Sequence, residues 1–332
     1  MVNDKISICI PTYNGELYLN ECLNSCLSQT YSNYEIIICD DCSSDKTLEI
    51  VNDLLKKSDK IKVFRNEKNL GLVANWNNCI KNSSGKWIKF VFQDDHITNE
   101  CLAEFASLIN DDTKVIVSKR NFIFDHKVTK EEEQYFANKH LDLEKALNGN
   151  YVSAKAVSKL AVKNICINFI AEPTLTLFRK DLVNDMGYFD DEFLQICDLE
   201  FFQRLGTNYG LTYLPKRNCF FRLHEHSTTS ANLTEKGFIL RYLEPVLLAN
   251  KMAEDMEYQS FRENLNPFEK LRLNFYIHSR LLEAQHAAKQ NSHNETIFLN
   301  YGKQHPWLLN PVKNAWFYNL ILNFILVKRK IS

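Results

Sequence analysis

The chain has 332 residues, 45% hydrophobic and 24% charged, and its 40 basic residues against 41 acidic ones leave a formal charge of -1. That is the composition of an ordinary globular protein with room for one large or two modest domains. It excludes a broadly basic surface that gathers nucleic acid, and seven prolines and nine glycines exclude a low-complexity chain.

Ten cysteines are scattered through apolar, periodic segments, and the start MVNDKIS carries no charged-then-apolar export signal. The expected setting is therefore the cytoplasm, with every thiol free. Cys39 and Cys42 form a CxxC with no second one at zinc-finger spacing, and Cys22 and Cys26 fall four apart in a helical pattern. Both pairs read as packing residues.

Along the chain, Ile6, Ser7, Ile8, Cys9 and Ile10 form an apolar run that stops at Pro11, which predicts a buried strand. In residues 17–29, Leu19, Cys22, Leu23, Cys26 and Leu27 recur at three and four, the pattern of an amphipathic helix. A second strand over 35–39 opens into Asp40, Asp41, Cys42, Ser43, Ser44 and Asp45. The same periodicities predict a helix over 46–57, a strand over 61–65, a helix over 73–81 and a strand over 87–92. This alternation specifies an α/β fold, a largely parallel sheet covered by helices. In such sheets ligands collect beyond the carboxyl ends of the strands, where polar clusters fall at residues 12–15, 40–45 and 93–96.

Residues 127–163 are charged and helical and read as an insertion. Strand-like 174–178 leads through Arg179 and a turn at 187–191 to a helix starting near Cys197. After His224 and His226 come long helical segments with few glycines, which place a boundary near residue 231: a domain of residues 1–230 and a C-terminal, mostly helical region of residues 231–332. Residues 315–327 carry a wide apolar stripe followed by Lys328, Arg329 and Lys330. The stripe is too short to cross a hydrocarbon core, which needs about 20 residues. It either packs on its own domain or a second copy, the expected outcome, or lies in a membrane interface.

The pairs Asp40-Asp41 and Asp94-Asp95 call for an explanation. Adjacent carboxylates repel, so two pairs at strand ends imply a cation or a set of hydrogen-bond donors. Helix capping accounts for Ser44 or Asp45 but poorly for two aspartates directly after the run 87–92.

Taken together, PTYNG (11–15), DDCSSD (40–45), NLG (69–71) and SGKWIKFVFQDD (84–95) resemble, in order and spacing, the inverting family 2 glycosyltransferases of the GT-A fold. MGYFDDEF (186–193), ICDLEFFQR (196–204) and RLHEHS (222–227) resemble the later family motifs, so the resemblance covers about the first 230 residues. It implies that Pro11 and Tyr13 border the nucleotide base and that Asp41 accepts a hydrogen bond from it. The family's D-x-D-D run reads Phe92, Gln93, Asp94, Asp95 here. Asp94 thus falls on the metal position, with Asp95 beside it on the donor, while the first aspartate is replaced by Phe92. His224 matches a histidine that completes the metal site for manganese or magnesium. Asp198 matches the aspartate that serves as general base, preceded by Cys197 in place of a glutamate; Asp190, Asp191 and Glu200 are nearby alternatives. Trp76 replaces a common arginine and either packs under the donor loop or belongs to the core.

The resemblance therefore implies a metal-dependent, inverting glycosyltransferase that moves one sugar from a nucleotide-diphosphate sugar donor to a hydroxyl of a glycan or lipid-linked glycan acceptor. Gln203 and Arg204 are adjacent, unlike the Q-x-x-R-W of processive members, which implies one sugar per encounter. The implied setting is bacterial surface polysaccharide synthesis, in the cytoplasm or peripherally at the inner face of the membrane, with a homodimer or membrane contact through the C-terminal helices. A nucleotidyltransferase is the rival enzyme, but PTYNGE lacks a Gly-rich basic phosphate loop. A non-catalytic sugar-nucleotide-binding or scaffold module is the rival suggested by Phe92 and Cys197.

Overall fold

The computed structural model describes residues 3–119, 121–124, 130, 134, 143–170, 172–224 and 239–312. The expected apolar stripe at 315–327, His226, and the start of the expected insertion lie outside the described residues. The chain divides into two compact units, one of Met1–Val157 with Ile167–Glu225 and one of Ser158–Cys166 with His226–Ser332.

In the first unit, β1 (Ile6–Thr12), β2 (Tyr34–Asp40), β3 (Ile61–Arg65) and β4 (Trp87–Phe90) are parallel, in the order β3-β2-β1-β4. They alternate with α1 (Leu19–Leu27), α2 (Thr47–Leu55) and α3 (Leu72–Asn82). Every residue of β1 and β2 is buried, as in a parallel sheet covered on both faces, and such strands read as unbroken apolar runs. The helices bury the stripe expected of them: Leu19, Cys22, Leu23 and Cys26 in α1, Val51 and Leu54 in α2.

Beyond β4 the sheet becomes mixed. β9 (Thr176–Arg179) lies antiparallel between β4 and β6 (Val115–Ser118), β10 (Leu211–Leu214) is parallel to β6, and β8 (Tyr151–Val152) closes the edge antiparallel to β10. The antiparallel direction matters for the site. With Ile88 paired to Phe178 and Trp87 to Arg179, β9 starts at the carboxyl end of β4, so residues 172–175 arrive beside Asp94 and Asp95. A three-stranded sheet of β5 (His96–Ile97), β11 (Cys219–Leu223) and β7 (Phe122–Phe124) stands at the same end. The remaining helices of this part are α4 (Cys101–Ala106), α6 (Leu182–Met186) and α7 (Cys197–Tyr209), and α5 (Ala154–Lys163) begins in the first unit and ends in the second.

All ten cysteines are free and eight are buried, as packing residues would be. The second unit contains α8 (Leu240–Glu254), α9 (Gln259–Glu263), α10 (Pro267–Ala288) and α11 (Ser292–Gln304), with α8 packed on α10, and Leu243, Leu247 and Leu281 are among the buried residues of these two helices. α10 starts where its sequence says it should: Asn266 and Glu269 form a reciprocal capping box and Pro267 occupies the first turn. Among the described residues no helix is long and apolar enough to cross a membrane.

Candidate active site

The loops after β1 and β2 are laced together by short polar side chains. Asn14, at φ 47, donates its backbone N–H to Ser43 Oγ (2.9 Å) and accepts from Ser44 N (2.9 Å). Gly15 N donates to Thr47 Oγ1 (2.8 Å), and Glu16 N to Asp45 Oδ2 (3.0 Å). Gln93 joins this loop to the end of β4 by accepting from Tyr13 N (2.9 Å) and donating to Tyr13 O (3.1 Å). A Cβ at Gly15 would lie 2.3 Å from Gln93 Oε1, so only glycine permits that approach. Pro11 is buried within β1, whereas the Tyr13 side chain is exposed.

Asp41 is buried, and its carboxylate accepts from Asn66 Nδ2 (2.8 Å), Leu70 N (2.8 Å) and Gly71 N (2.9 Å). It thereby satisfies the amides that lead into α3. The DDCSSD and NLG strings are one hydrogen-bonded unit, a coupling that neither reveals alone. A carboxylate has about four acceptor positions, so about one remains.

At the end of β4, the structure brings Asp94 and His224 together: His224 Nε2 lies 3.0 Å from Asp94 Oδ2. Asp95 points the other way, fully buried, accepting from Thr174 Oγ1 and from Arg222 N (2.9 Å). Burial, and next the Asp94 carboxylate, push its pKa well above the ordinary aspartate range. Arg222 is the unexpected organiser here. Its Nε donates to Asp94 O (2.8 Å), its Nη2 to Glu21 Oε2 (2.7 Å), and its guanidinium lies 4.6 Å from the Tyr18 ring centre. Tyr18 in turn packs on His224 at 4.9 Å between ring centres. Arg222 stands in the RLHEHS string, so its presence was legible, while Tyr18, just before α1, and Glu21 within it carried no signal. Among the described residues no group of three His, Cys, Asp or Glu could hold a metal ion.

Asp198 lies in the first turn of α7, half-buried, accepting from Leu199 N (2.7 Å) and from Asn168 Nδ2 (3.2 Å). Asn168 was not foreseen. The alternative acid Glu200 is fully buried and grips Arg204 with both oxygens at 2.8 Å. Arg204 also donates to the carbonyls of Met186, Gly187 and Tyr188, so this pair shapes the turn before α7 and is committed to structure. Asn77 fixes the same segment to α3 through a two-way bond with the Phe189 backbone (2.8 and 3.1 Å).

Trp76 is buried, 4.7 Å from the Phe92 ring centre, 6.1 Å from Phe90 and edge-on to Phe189 at 5.2 Å. Two of the positions that depart from the family pattern thus meet: the residue in the arginine's place packs on the residue in the aspartate's place.

Four parallel strands alternating with helices, and an antiparallel strand beside β4, are the architecture of a GT-A glycosyltransferase. Residues 7–186 match the family described as Glycosyl transferase family 2, more than half of the chain, and the protein belongs to that family. It is 28% identical over 245 residues to the Mycobacterium tuberculosis protein MT1568, covering 72% of this chain and 75% of that one. Over 110 residues it is 37% identical to the Staphylococcus aureus poly(ribitol-phosphate) beta-N-acetylglucosaminyltransferase TarS, which is 32% of this chain but 19% of TarS. The crystal structure of TarS 1-349 with UDP-GlcNAc superimposes with a TM-score of 0.59 at 21% identity, covering 85% of this chain and 81% of that chain. The mannosyltransferase PcManGT of Pyrobaculum calidifontis, solved with GDP-Man and Mn2+, gives 0.55 at 14% identity over 95% of this chain and 84% of its own. At those identities the solved structures establish the fold.

Proposed function

We propose that this glycosyltransferase moves one sugar per encounter, with inversion and with a divalent cation, from a nucleoside diphosphate sugar to a hydroxyl of a glycan or lipid-linked glycan in bacterial surface polysaccharide synthesis. The observation that carries the reading is the meeting of Asp94 and His224 at 3.0 Å beside the carboxyl end of β4. A carboxylate and an imidazole fit a divalent cation, manganese better than magnesium because of the imidazole. Asp94 and His224 would hold such a cation, which would supply charge neutralisation for the departing diphosphate.

The chain's own residues do the rest. Tyr13 offers an exposed ring to the base, with Pro11 behind it, and the remaining acceptor position of Asp41 faces the base edge. Asp95 shapes the donor side by holding the Arg222 backbone. Asp198, steadied by Asn168, takes the proton of the acceptor hydroxyl as the new bond forms. Displacement from the face opposite the leaving group inverts the anomeric carbon without a covalent intermediate. The UDP-GlcNAc of the TarS complex and the GDP-Man and Mn2+ of PcManGT support the donor class and the cation.

Release of nucleoside diphosphate from a panel of UDP-, GDP- and dTDP-sugars, with and without acceptor glycans and with and without EDTA, tests the reading. Turnover that EDTA abolishes is expected. Full transfer in EDTA removes the cation from the reading, and binding of a donor without any release makes the protein a sugar-nucleotide-binding module.

A further inference from the structure

Among the described residues, Lys89 is the only lysine that is fully buried. It sits in β4, and neither the donor nor the acceptor role assigned above uses it. A buried ammonium is costly unless it is paired and hydrogen-bonded, so its partners indicate what it is kept for. Its Nζ donates to Thr174 O, lies 3.4 Å from Cys219 Sγ, and stands 4.9 Å from the centre of the Phe105 ring.

Each of the two polar partners leads to one half of the Asp94–His224 pair. Thr174, fully buried, donates its hydroxyl to Asp95, the neighbour of Asp94. Cys219 is the first residue of β11, the strand that ends at Leu223 and delivers Arg222 and His224. Arg222 then closes the circuit, its N–H on Asp95 and its Nε on Asp94 O. One ammonium therefore grips the turn behind the carboxylates and the root of the strand that brings the imidazole.

We propose that Lys89 is a positioning residue for the cation site: by holding Thr174 and Cys219 at once, it sets the separation of Asp94 and His224. The inference rests on the metal reading above. The surroundings of Cys219 agree with it. Burial works against ionisation, but hydrogen bonding from Cys101, 3.6 Å away, and the Lys89 ammonium bring the Cys219 thiol down to about 6. The Cys101 thiol shifts well upward, with burial the largest cause and the neighbouring Cys219 the next.

The test compares wild type, Lys89→Met, Thr174→Val and Thr174→Ser by Mn2+ titration, followed by electron paramagnetic resonance in the presence of UDP and, separately, GDP, together with thermal unfolding without metal. Loss of a group that orients metal ligands typically weakens metal binding by about 10- to 100-fold. A loss of that size is expected for Lys89→Met and Thr174→Val, while Thr174→Ser, which keeps the hydroxyl on Asp95, binds like wild type. The metal-free melting temperature of Lys89→Met is expected to fall, because Thr174 O and Cys219 lose their buried donor, so Mn2+ affinity is read at a temperature where both proteins are folded. Mn2+ binding by wild type and Lys89→Met with equal affinity overturns this inference and leaves the metal reading standing. Wild type that binds no Mn2+ with either nucleotide overturns both. Where Lys89→Met fails to fold, equal Mn2+ affinity in Thr174→Val and Thr174→Ser overturns the proposal.

Discussion

His224 Nε2 stands 3.0 Å from Asp94 Oδ2 although the two residues are 130 positions apart in the chain. The meeting has a simple cause: β11 pairs with β5, which begins at His96, two residues past Asp94, so the end of β11 returns to the end of β4. The first prediction follows from the pair. Asp94→Ala should abolish Mn2+-dependent binding of nucleoside diphosphate, and His224→Ala should weaken it by about 10- to 100-fold. Calorimetry with and without Mn2+ checks both, and an Asp94→Ala protein that binds like wild type contradicts the assignment.

Asp198→Asn keeps the shape of the side chain and removes its basicity. Transfer should fall by roughly 100- to 10,000-fold, the usual worth of a general base, while donor affinity stays unchanged. Asn168→Ala, which removes the amide on Asp198, should lower kcat by a smaller factor. Normal turnover by Asp198→Asn would move the base to another acid, with Asp191 the exposed alternative.

Stability should depend on pH through Glu35. Its buried carboxylate accepts from Ser7 Oγ (2.7 Å), Ser84 N (2.7 Å), Lys5 Nζ (2.9 Å) and Lys62 Nζ (2.8 Å). Burial alone would raise its pKa, but Lys62, Ser7, Lys5 and Ser84 outweigh burial and hold it far below the ordinary value of 4.5. The folded state therefore gives up this proton more readily than the unfolded chain. Its stabilisation is complete above the unfolded pKa, near 4.5, and is lost as pH falls below it. Glu35→Gln should cost about 2 kcal/mol at pH 7, less than a fully buried pair because both lysines stay partly solvated. Urea unfolding of both proteins should converge as the pH is lowered from 5 toward 2, about the range where the linkage acts.

The aromatic pair Trp76 and Phe92 invites a double-mutant cycle. Phe92→Asp places a carboxylate against the indole and should destabilise by about 2 kcal/mol. Trp76→Arg should cost at least as much, since the indole also touches Phe90 and Phe189. The double variant restores a charge pair, so its loss should be smaller than the sum. Strict additivity in urea unfolding would show that the two positions do not act together.

What could be read from the sequence followed burial. β1, β2 and β4 are buried along their whole length and their apolar runs announced them, whereas β3, at the sheet edge, buries only Ile61. β5 and β8 have two residues each and β7 has three, too short for any alternation to register. The direction of β9 was invisible because it depends on where the chain re-enters the sheet, and nothing local to TLFR encodes that. The chemistry behaved likewise. Asp94, Asp198 and His224 stood out through their strings, but Thr174, Asn168 and Lys89 act through partners 79, 30 and 85 positions away. Such bonds have no signature until the strands are ordered.

Asp41 holds the amides of Leu70 and Gly71 with the carboxylate proposed to meet the base. On that proposal the same side chain would be both anchor and reader, and the amide protons of residues 70 and 71 would report on the nucleotide subsite. In hydrogen–deuterium exchange they should slow when a matching nucleotide occupies the site, since opening this loop then also breaks a ligand contact. Asp41→Asn should make them exchange freely whether or not nucleotide is present, separating loss of the anchor from loss of the ligand in one measurement.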